Sequence, residues 1–392
     1  MTIKNHPITS IIIPTYNRLH VLPRAVESVL NQTLKDYEII VVDDASTDNT
    51  KKMLIEKYGV KIIYIGKRRN EGLSAARNTG IKSSRGKYIA FLDDDDVWLP
   101  KKLELQIDLI EKNPSLGLVY CGCYKVDRDD KVMSEIKPTK KGYIFDDMLC
   151  ANYIVGSASA ALVKRELLVN TGYFDENLTS LEDWDLWIRI SKFHEIDYVD
   201  QPLVKYKMHD YNMSKNILNM EKSTFSVFNK YWPVLSKDKK YEEKKNKLYS
   251  DHCISFAWRY YHMGERDDFE RLLFLALEYY PLNRIYIRGE DLQGKEKAVF
   301  SMFDKYWNQC VDHKLIDGRK KAYTSQYIQL AGEYYNHREM HNYRRCLAGA
   351  FRCSFPRVPL RLSIPFIKSF LGKTLADRIH NVRKRLMKCR EL

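Results

Sequence analysis

Four consecutive carboxylates, Asp93-Asp94-Asp95-Asp96, follow the apolar run Tyr88-Ile89-Ala90-Phe91-Leu92. Neighbouring carboxylates repel one another, so packing alone does not favour such a cluster at a strand end. A hard divalent cation relieves the repulsion, and oxygen-rich sites bind Mg²⁺ or Mn²⁺. A second acidic pair, Asp43-Asp44, closes the apolar run Glu38-Ile39-Ile40-Val41-Val42. A third, Glu182-Asp183, opens a segment with Trp184 and Trp187. A carboxylate in low-polarity surroundings has a raised pKa and suits general-base work. Each set also has a plainer reading. Asp and Ser cap turns, and acids at a helix start are favoured by the helix dipole.

The elements around these residues alternate. Ser10 to Pro14, Glu38 to Val42, Lys61 to Ile65 and Tyr88 to Leu92 read as strands. Leu19, Leu22, Val26, Val29 and Leu30 recur at helical spacing, and Thr50 to Tyr58 and Gly72 to Lys82 read as helices. Apolar strands alternating with helices predict an α/β unit with a mostly parallel sheet covered on both faces. Ligands of such sheets bind beyond the carboxyl ends of the strands. Thr15-Tyr16-Asn17, Asp43-Asp44 and Asp93 to Asp96 all sit at such ends, so one crevice is expected. Pro14 to Asn17 also suits a strand stop followed by an N-cap at Asn17. Further strands are read at Leu118 to Tyr124 and Ala160 to Val163, and a helix from Asp183 to Lys192.

The polar sets occur in a fixed order. Pro14-Thr15-Tyr16-Asn17-Arg18 comes first, then Asp43-Asp44-Ala45-Ser46-Thr47-Asp48. Asn70-Glu71-Gly72-Leu73-Ser74-Ala75-Ala76-Arg77-Asn78, the four aspartates and Leu181 to Trp187 come after them. This ordered set resembles the family 2 glycosyltransferases, which have the GT-A fold. The resemblance covers roughly residues 8 to 215. It takes in Gly156-Ser157-Ala158-Ser159 to Asp175, and Tyr206-Lys207-Met208-His209 to Ser214.

The resemblance implies a metal-dependent, inverting transfer of a hexosyl or N-acetylhexosaminyl group from a nucleotide sugar, with a UDP-sugar expected. Asp43 or Asp44 can accept hydrogen bonds from a uracil N–H or a ribose hydroxyl, and the resemblance gives Asp43 first claim. Thr15 and Tyr16 would flank the base, by hydrogen bonding and stacking respectively, with Pro14 and Asn17 in the same nucleotide-sugar-binding set. Arg77 would reach the diphosphate or base. By the family's aspartate-x-aspartate motif, Asp93 addresses the ribose and Asp95 the metal, with Asp96 beside it. Asp94 stands where relatives often have a small residue, which leaves Asp94 with Asp96 as an alternative register. His209 becomes the second metal ligand, and an imidazole suits Mn²⁺ better than Mg²⁺. Asp183 becomes the base and Glu182 its neighbour that positions the acceptor. Gly156, Ser157 and Trp184 fall on the acceptor side, with Trp184 and Trp187 as a low-polarity stacking wall.

The chain has 392 residues, of which 44% are hydrophobic and 30% charged, as in soluble globular proteins. That length suggests two or three domains. The expected layout is a catalytic domain over 1–215, a helical domain over 216–360 and a basic tail over 361–392. Two similar segments, Ile254 to Ala276 and Ile328 to Ala350, read as helical hairpins of tetratricopeptide size. The formal charge of +14 invites an anionic partner. Ser363 to Leu371 leads into Arg378, Arg383, Lys384, Arg385 and Lys388, a mixture that suits an anionic membrane surface. Nucleic acid is not expected, since no recognition motif is present. The 8 cysteines are scattered without paired metal spacing. No signal-like segment opens the chain and no apolar run is long enough to span a bilayer. Together these predict a cytoplasmic protein, at the inner face of the cell membrane if the tail binds it. The expected acceptor is a glycan or lipid-linked glycan. A nucleotidylyltransferase would need a Gly-rich phosphate loop after the first strand, where Pro14-Thr15-Tyr16-Asn17 stands instead. A non-catalytic scaffold is the alternative from another class, and the intact acids argue against it.

Overall fold

The structure, a computed structural model, describes residues 6–209, 212–235, 239–280, 285, 291–309, 316–337, 339, 341–342, 345–346 and 349–350. The chain forms two compact units, Met1–Tyr241 and Glu242–Leu392.

The first unit is built on one mixed sheet. Four parallel strands, β1 (Thr9–Thr15), β2 (Tyr37–Asp43), β3 (Ile63–Gly66) and β4 (Tyr88–Phe91), stand in the order β3-β2-β1-β4. The sheet continues with β8 (Leu162–Lys164), β6 (Leu116–Val126), β9 (Glu195–Lys207) and β5 (Val97–Trp98), while β7 (Val132–Ile136) pairs with β6. Strands β6 and β9 are parallel to each other, and β8 runs antiparallel to both β4 and β6. The sheet is therefore mostly parallel, and helices accompany it: the α/β class and GT-A-like arrangement expected from the sequence. Ile11, Ile13, Ile39, Val41 and Ala90 are fully buried or nearly so. Removing one such aliphatic side chain from water is worth about 1.5–3 kcal/mol, which fixes the strand register tightly.

Helix α1 (Leu22–Leu30) buries Leu22, Ala25, Val26 and Val29 and comes after the β1 loop. Helix α2 (Thr50–Tyr58) comes after β2. Helix α3 (Leu73–Ser83) begins after Gly72, whose φ of +93° only glycine adopts without strain. It lies close on β1, because a Cβ at Gly80 would stand 2.4 Å from Ile12 Cγ2. That approach sinks Arg77 into the interior. Helix α4 (Lys102–Lys112) returns the chain to β6, α5 (Phe145–Met148) and α6 (Arg165–Thr171) flank β8, and α7 (Glu182–Ser191) precedes β9. Helix α8 (Ile217–Leu235) also belongs to the first unit, beyond the boundary expected at 215.

The second unit is helical among its described residues. It comprises most of α9 (Lys239–Met263), then α10 (Arg266–Tyr279), α11 (Leu292–Gln309) and α12 (Ile316–Asn336). Helices α9 and α10 form the hairpin predicted from Ile254, with Tyr261 and Trp258 packed against Phe269. In the second predicted hairpin, Leu330, Ala331 and Tyr334 are buried on α12, while Tyr343 falls outside the described residues. The basic tail after 360 also lies outside them. No helix among the described residues is long and apolar enough to cross a membrane.

Candidate active site

The carboxyl ends of β1, β2 and β4 open into a cavity of about 460 Å³. Its lining includes Pro14, Thr15, Tyr16, Asp44, Asp93, Asp94 and Asp95 from these strand ends. Glu182 and Asp183 from the start of α7 and His209 from beyond β9 complete it, with Ser157 between. The sets predicted to converge therefore meet in one place.

The two acids after β2 have separate tasks. Asp43 is buried and does not line the cavity; Ser46 N–H donates to its Oδ1 at 2.8 Å and Tyr64 OH to its Oδ2 at 2.8 Å. Asp44 lines the cavity and accepts the Gly72 N–H at 2.7 Å and the Glu71 N–H at 3.1 Å, with Lys67 Nζ 3.1 Å away. Asp44 thus ties β2 to the start of α3. Asn17 does not cap α1, which starts only at Leu22. Its φ is +54°, its side-chain oxygen accepts the Thr47 N–H at 2.7 Å, and its own N–H donates to Ser46 Oγ. It clamps the β1 and β2 loops together. Tyr16 is exposed at the mouth of the cavity, where a ring can stack.

The four aspartates are split by burial. Asp93 accepts from Arg77 Nη2 at 2.6 Å and from Ser157 Oγ at 2.9 Å. Asp94 accepts the Thr15 hydroxyl at 2.7 Å, and burial beside Asp95 pushes its carboxyl up to about 7. Asp95 Oδ2 stands 2.8 Å from His209 Nε2 and 3.7 Å from Arg18 Nη1. Asp96 turns away into the core, where its Oδ1 accepts the Lys207 N–H at 3.1 Å. Its carboxyl is raised well above the usual range by burial and by Asp95. The register that pairs Asp93 with Asp95 therefore faces the cavity.

Asp95 and His209 give one carboxylate oxygen and one imidazole nitrogen on the same cavity wall. The backbone at His209 is held from behind: Asn212 Oδ1 accepts the His209 backbone N–H, and Asn212 Nδ2 donates to the Lys207 carbonyl. Among the described residues, no group of three His, Cys, Asp or Glu side chains stands ready to hold a metal by itself. A two-donor set of this chemistry fits a hard or borderline cation whose other positions are filled by ligand oxygens and water.

Arg77 departs from its expected place. It does not face the cavity; it is fully buried under it, on the ring of Phe174, and bridges Asp93 and Glu182. The contact to Glu182 is 2.5 Å. The two carboxylates hold the guanidinium in its charged form, above its ordinary pKa. Glu182 and Asp183 occupy the first turn of α7, entered through Leu181 at a φ of +61°. Trp184 N–H donates to Asp183 Oδ1 at 2.7 Å. Burial, with Glu182 beside it, pushes the Asp183 carboxyl up to about 7, and Arg77 opposes that rise. A carboxylate tuned near neutrality, in a cavity, can take a proton from a hydroxyl group.

Trp184 and Trp187 are not a stacking wall. Trp184 is buried, donates its indole N–H to the Met148 carbonyl at 2.6 Å and packs edge-on against Phe228. Trp187 is buried against Phe174. Both supply the low polarity around α7 but neither lines the cavity. Gly156 and Ser157 form a turn with φ of +82° and +58°, which carries the Ser157 hydroxyl to Asp93. Gly156 does not line the cavity either.

Sequence reasoning passed over Asn152 and Met220, which also line the cavity, and gave no role to Arg18, Asn70 or Tyr206. Arg18 and Asn70 belong to quoted motifs and were legible there. Asn152 lies in irregular chain with no periodic signal.

The family model described as "Glycosyl transferase family 2" matches residues 10–171. An uncharacterised glycosyltransferase of Methanocaldococcus jannaschii is 35% identical over 213 residues, 52% of this chain and 71% of that protein. The Escherichia coli protein named UDP-Glc:alpha-D-GlcNAc-diphosphoundecaprenol beta-1,3-glucosyltransferase WfgD is 31% identical over 231 residues, 58% of this chain and 85% of that one. Among solved structures, S. aureus TarS 1-349 in complex with UDP-GlcNAc aligns over 87% of this chain and 90% of that chain, at 15% identity and a TM-score of 0.47.

Proposed function

The chain belongs to glycosyltransferase family 2, and on that premise we propose that it transfers a sugar from a UDP-sugar to a hydroxyl of a glycan or lipid-linked glycan, with inversion. The observation that carries this is the cavity itself. It sets one near-neutral carboxylate, Asp183, beside a wall formed by Asp93, Asp95 and His209.

The donor lies along the strand ends. Tyr16 stacks on the base, and Asp44 accepts from the base or ribose. We keep Asp43 as a support, because Asp44 lines the cavity and Asp43, bound to Ser46 and Tyr64, does not. Asp93 accepts from a ribose hydroxyl. Asp95 and His209 would hold a divalent cation, Mn²⁺ or Mg²⁺; when bound, such an ion supplies positive charge to the diphosphate. Arg18, close to Asp95, adds a fixed positive charge on the same wall.

Asp183 takes the proton of the acceptor hydroxyl. The freed oxygen attacks the anomeric carbon, and the bond to the diphosphate breaks with its electron pair on the phosphate. One displacement inverts the centre. Glu182, held by Arg77, keeps the start of α7 in place. The name of the E. coli relative, which specifies a lipid-diphosphate sugar acceptor, supports a lipid-linked glycan here. We propose that the helical region and the basic tail bring the enzyme to that acceptor at an anionic membrane surface. The test is a screen of UDP-glucose, UDP-galactose, UDP-N-acetylglucosamine and UDP-N-acetylgalactosamine for UDP release with and without Mn²⁺. Release from at least one, lost on chelation, is expected. No UDP binding by calorimetry would refute the proposal.

A further inference from the structure

Asn152 belongs to none of the motifs that mark the family, yet it faces the reacting side of Asp183. It lies between α5 and the Gly156–Ser157 turn, and it lines the cavity. Its carboxamide is held one way round. The side-chain oxygen accepts the Ile154 N–H at 3.1 Å, and Ile154 is buried, so the turn is anchored. The amide nitrogen must therefore point the other way, and there it stands 3.5 Å from Asp183 Oδ2. A good N–H···O bond is about 2.9–3.0 Å, so this pair is close but not closed. Asp183 Oδ1 is already engaged by the Trp184 N–H at 2.7 Å. That leaves Oδ2 as the oxygen free to accept, with an amide donor beside it. The charged groups around Asp183 do not compete for this position. Arg77 on α3 spends its two Nη groups on Asp93 and Glu182, and Glu182 and Asp93 are themselves acceptors.

We propose that Asn152 binds the acceptor hydroxyl and is a catalytic residue of the transfer, an inference that rests on Asp183 being the base. The acceptor oxygen accepts from Asn152 Nδ2 through one lone pair, and its proton points at Asp183 Oδ2. The second lone pair is then directed at the anomeric carbon. In the step, that oxygen bonds to the anomeric carbon and the proton passes to Asp183. The bond from the anomeric carbon to the diphosphate oxygen breaks with its electron pair. Asn152 gives up no proton; it orients the nucleophile. Misplacing a nucleophile by about 1 Å costs on the order of a hundredfold in rate.

Two variants separate this role from the turn. Asn152→Asp keeps an oxygen for the Ile154 N–H but has no amide donor; Asn152→Ala keeps neither. The probe is hydrolysis of UDP-glucose and UDP-N-acetylglucosamine with Mn²⁺, in which water is the acceptor. UDP affinity by calorimetry reports that the site is folded. Both variants are expected to lose ten- to hundredfold in kcat with UDP affinity within twofold, and Asp is expected to be no better than Ala. Wild-type kcat in Asn152→Asp beside a slow Asn152→Ala reduces the residue to a turn former and overturns the proposal. So do wild-type rates in both, if Asp183→Asn is dead. Retained turnover in Asp183→Asn instead removes the base assignment, and this inference with it.

Discussion

Replacing Arg77 by Met tests how the site is held together. The methionine has a similar length and fills the space on Phe174, so the main change is loss of charge. In the native chain the guanidinium is completely buried and contacts Asp93 at 2.6 Å and Glu182 at 2.5 Å. The Glu182 side chain is only 7% exposed. Without Arg77 that carboxylate stays buried beside Asp183 with no cation. Removing one partner of a buried ion pair costs about 3–5 kcal/mol. For a unit of this size, each kcal/mol moves Tm by about 2–4 °C, so a fall of roughly 6–20 °C is expected. The loss depends on pH. Arg77 pulls the Asp183 carboxyl down against burial, so its removal raises that group further above its unfolded value. A group with a raised folded pKa contributes stability below its unfolded pKa and loses it as pH rises through the folded one. The gap to wild type must therefore widen between pH 5 and pH 8. Thermal unfolding of both proteins at the two pH values measures it. Arg77→Lys should fall between, since one ammonium cannot bridge two carboxylates as a planar fork does. A gap below about 1 kcal/mol, or the same gap at both pH values, would refute the argument.

Other outcomes rest on the same geometry. With Asp183 titrating near 7 and acting as a base, kcat/KM should fall about tenfold per pH unit below pH 7; a flat profile from pH 5 to 8 contradicts this. His209→Ala should weaken Mn²⁺ binding in the presence of UDP by tenfold or more while leaving metal-free UDP affinity within a few-fold, as isothermal titration reports. The Tyr16→Ala variant should bind UDP more weakly and a metal–pyrophosphate pair unchanged, because only the base loses its stacking partner.

Much of this site could be read in the chain because strand ends carry their own signal. Ile11 to Ile13, Ile39 to Val42 and Tyr88 to Leu92 are continuous apolar runs, so the polar residues after each run lie at the sheet's carboxyl edge. The order of the motifs then gave the family. The features that stayed hidden depend on side-chain direction. Arg77 looks like any exposed helical arginine until Gly80 lets α3 settle on Ile12. Asp43 and Asp44 are adjacent and chemically identical, and only side-chain direction tells them apart: Asp44 lines the cavity and holds the start of α3, while Asp43 turns to Ser46 and Tyr64. Trp184 follows Asp183 in sequence but faces Phe228, because successive residues of a helix point about 100° apart. Strand β9 escaped notice because Pro202 and alternating polar residues break its apolar run, and its pairing with β6 is irregular at Gly122.

The assignment of Asp183 as the base is tested most directly by one variant, Asp183→Asn, measured two ways. The substitution keeps size and neutralises a buried charge, so folding should not suffer at pH 8. UDP affinity with Mn²⁺, by calorimetry, should stay within twofold of wild type. UDP release from the donor found in the screen should fall by two to four orders of magnitude, the usual worth of a general base. Turnover within tenfold of wild type, with UDP still bound, would contradict the account.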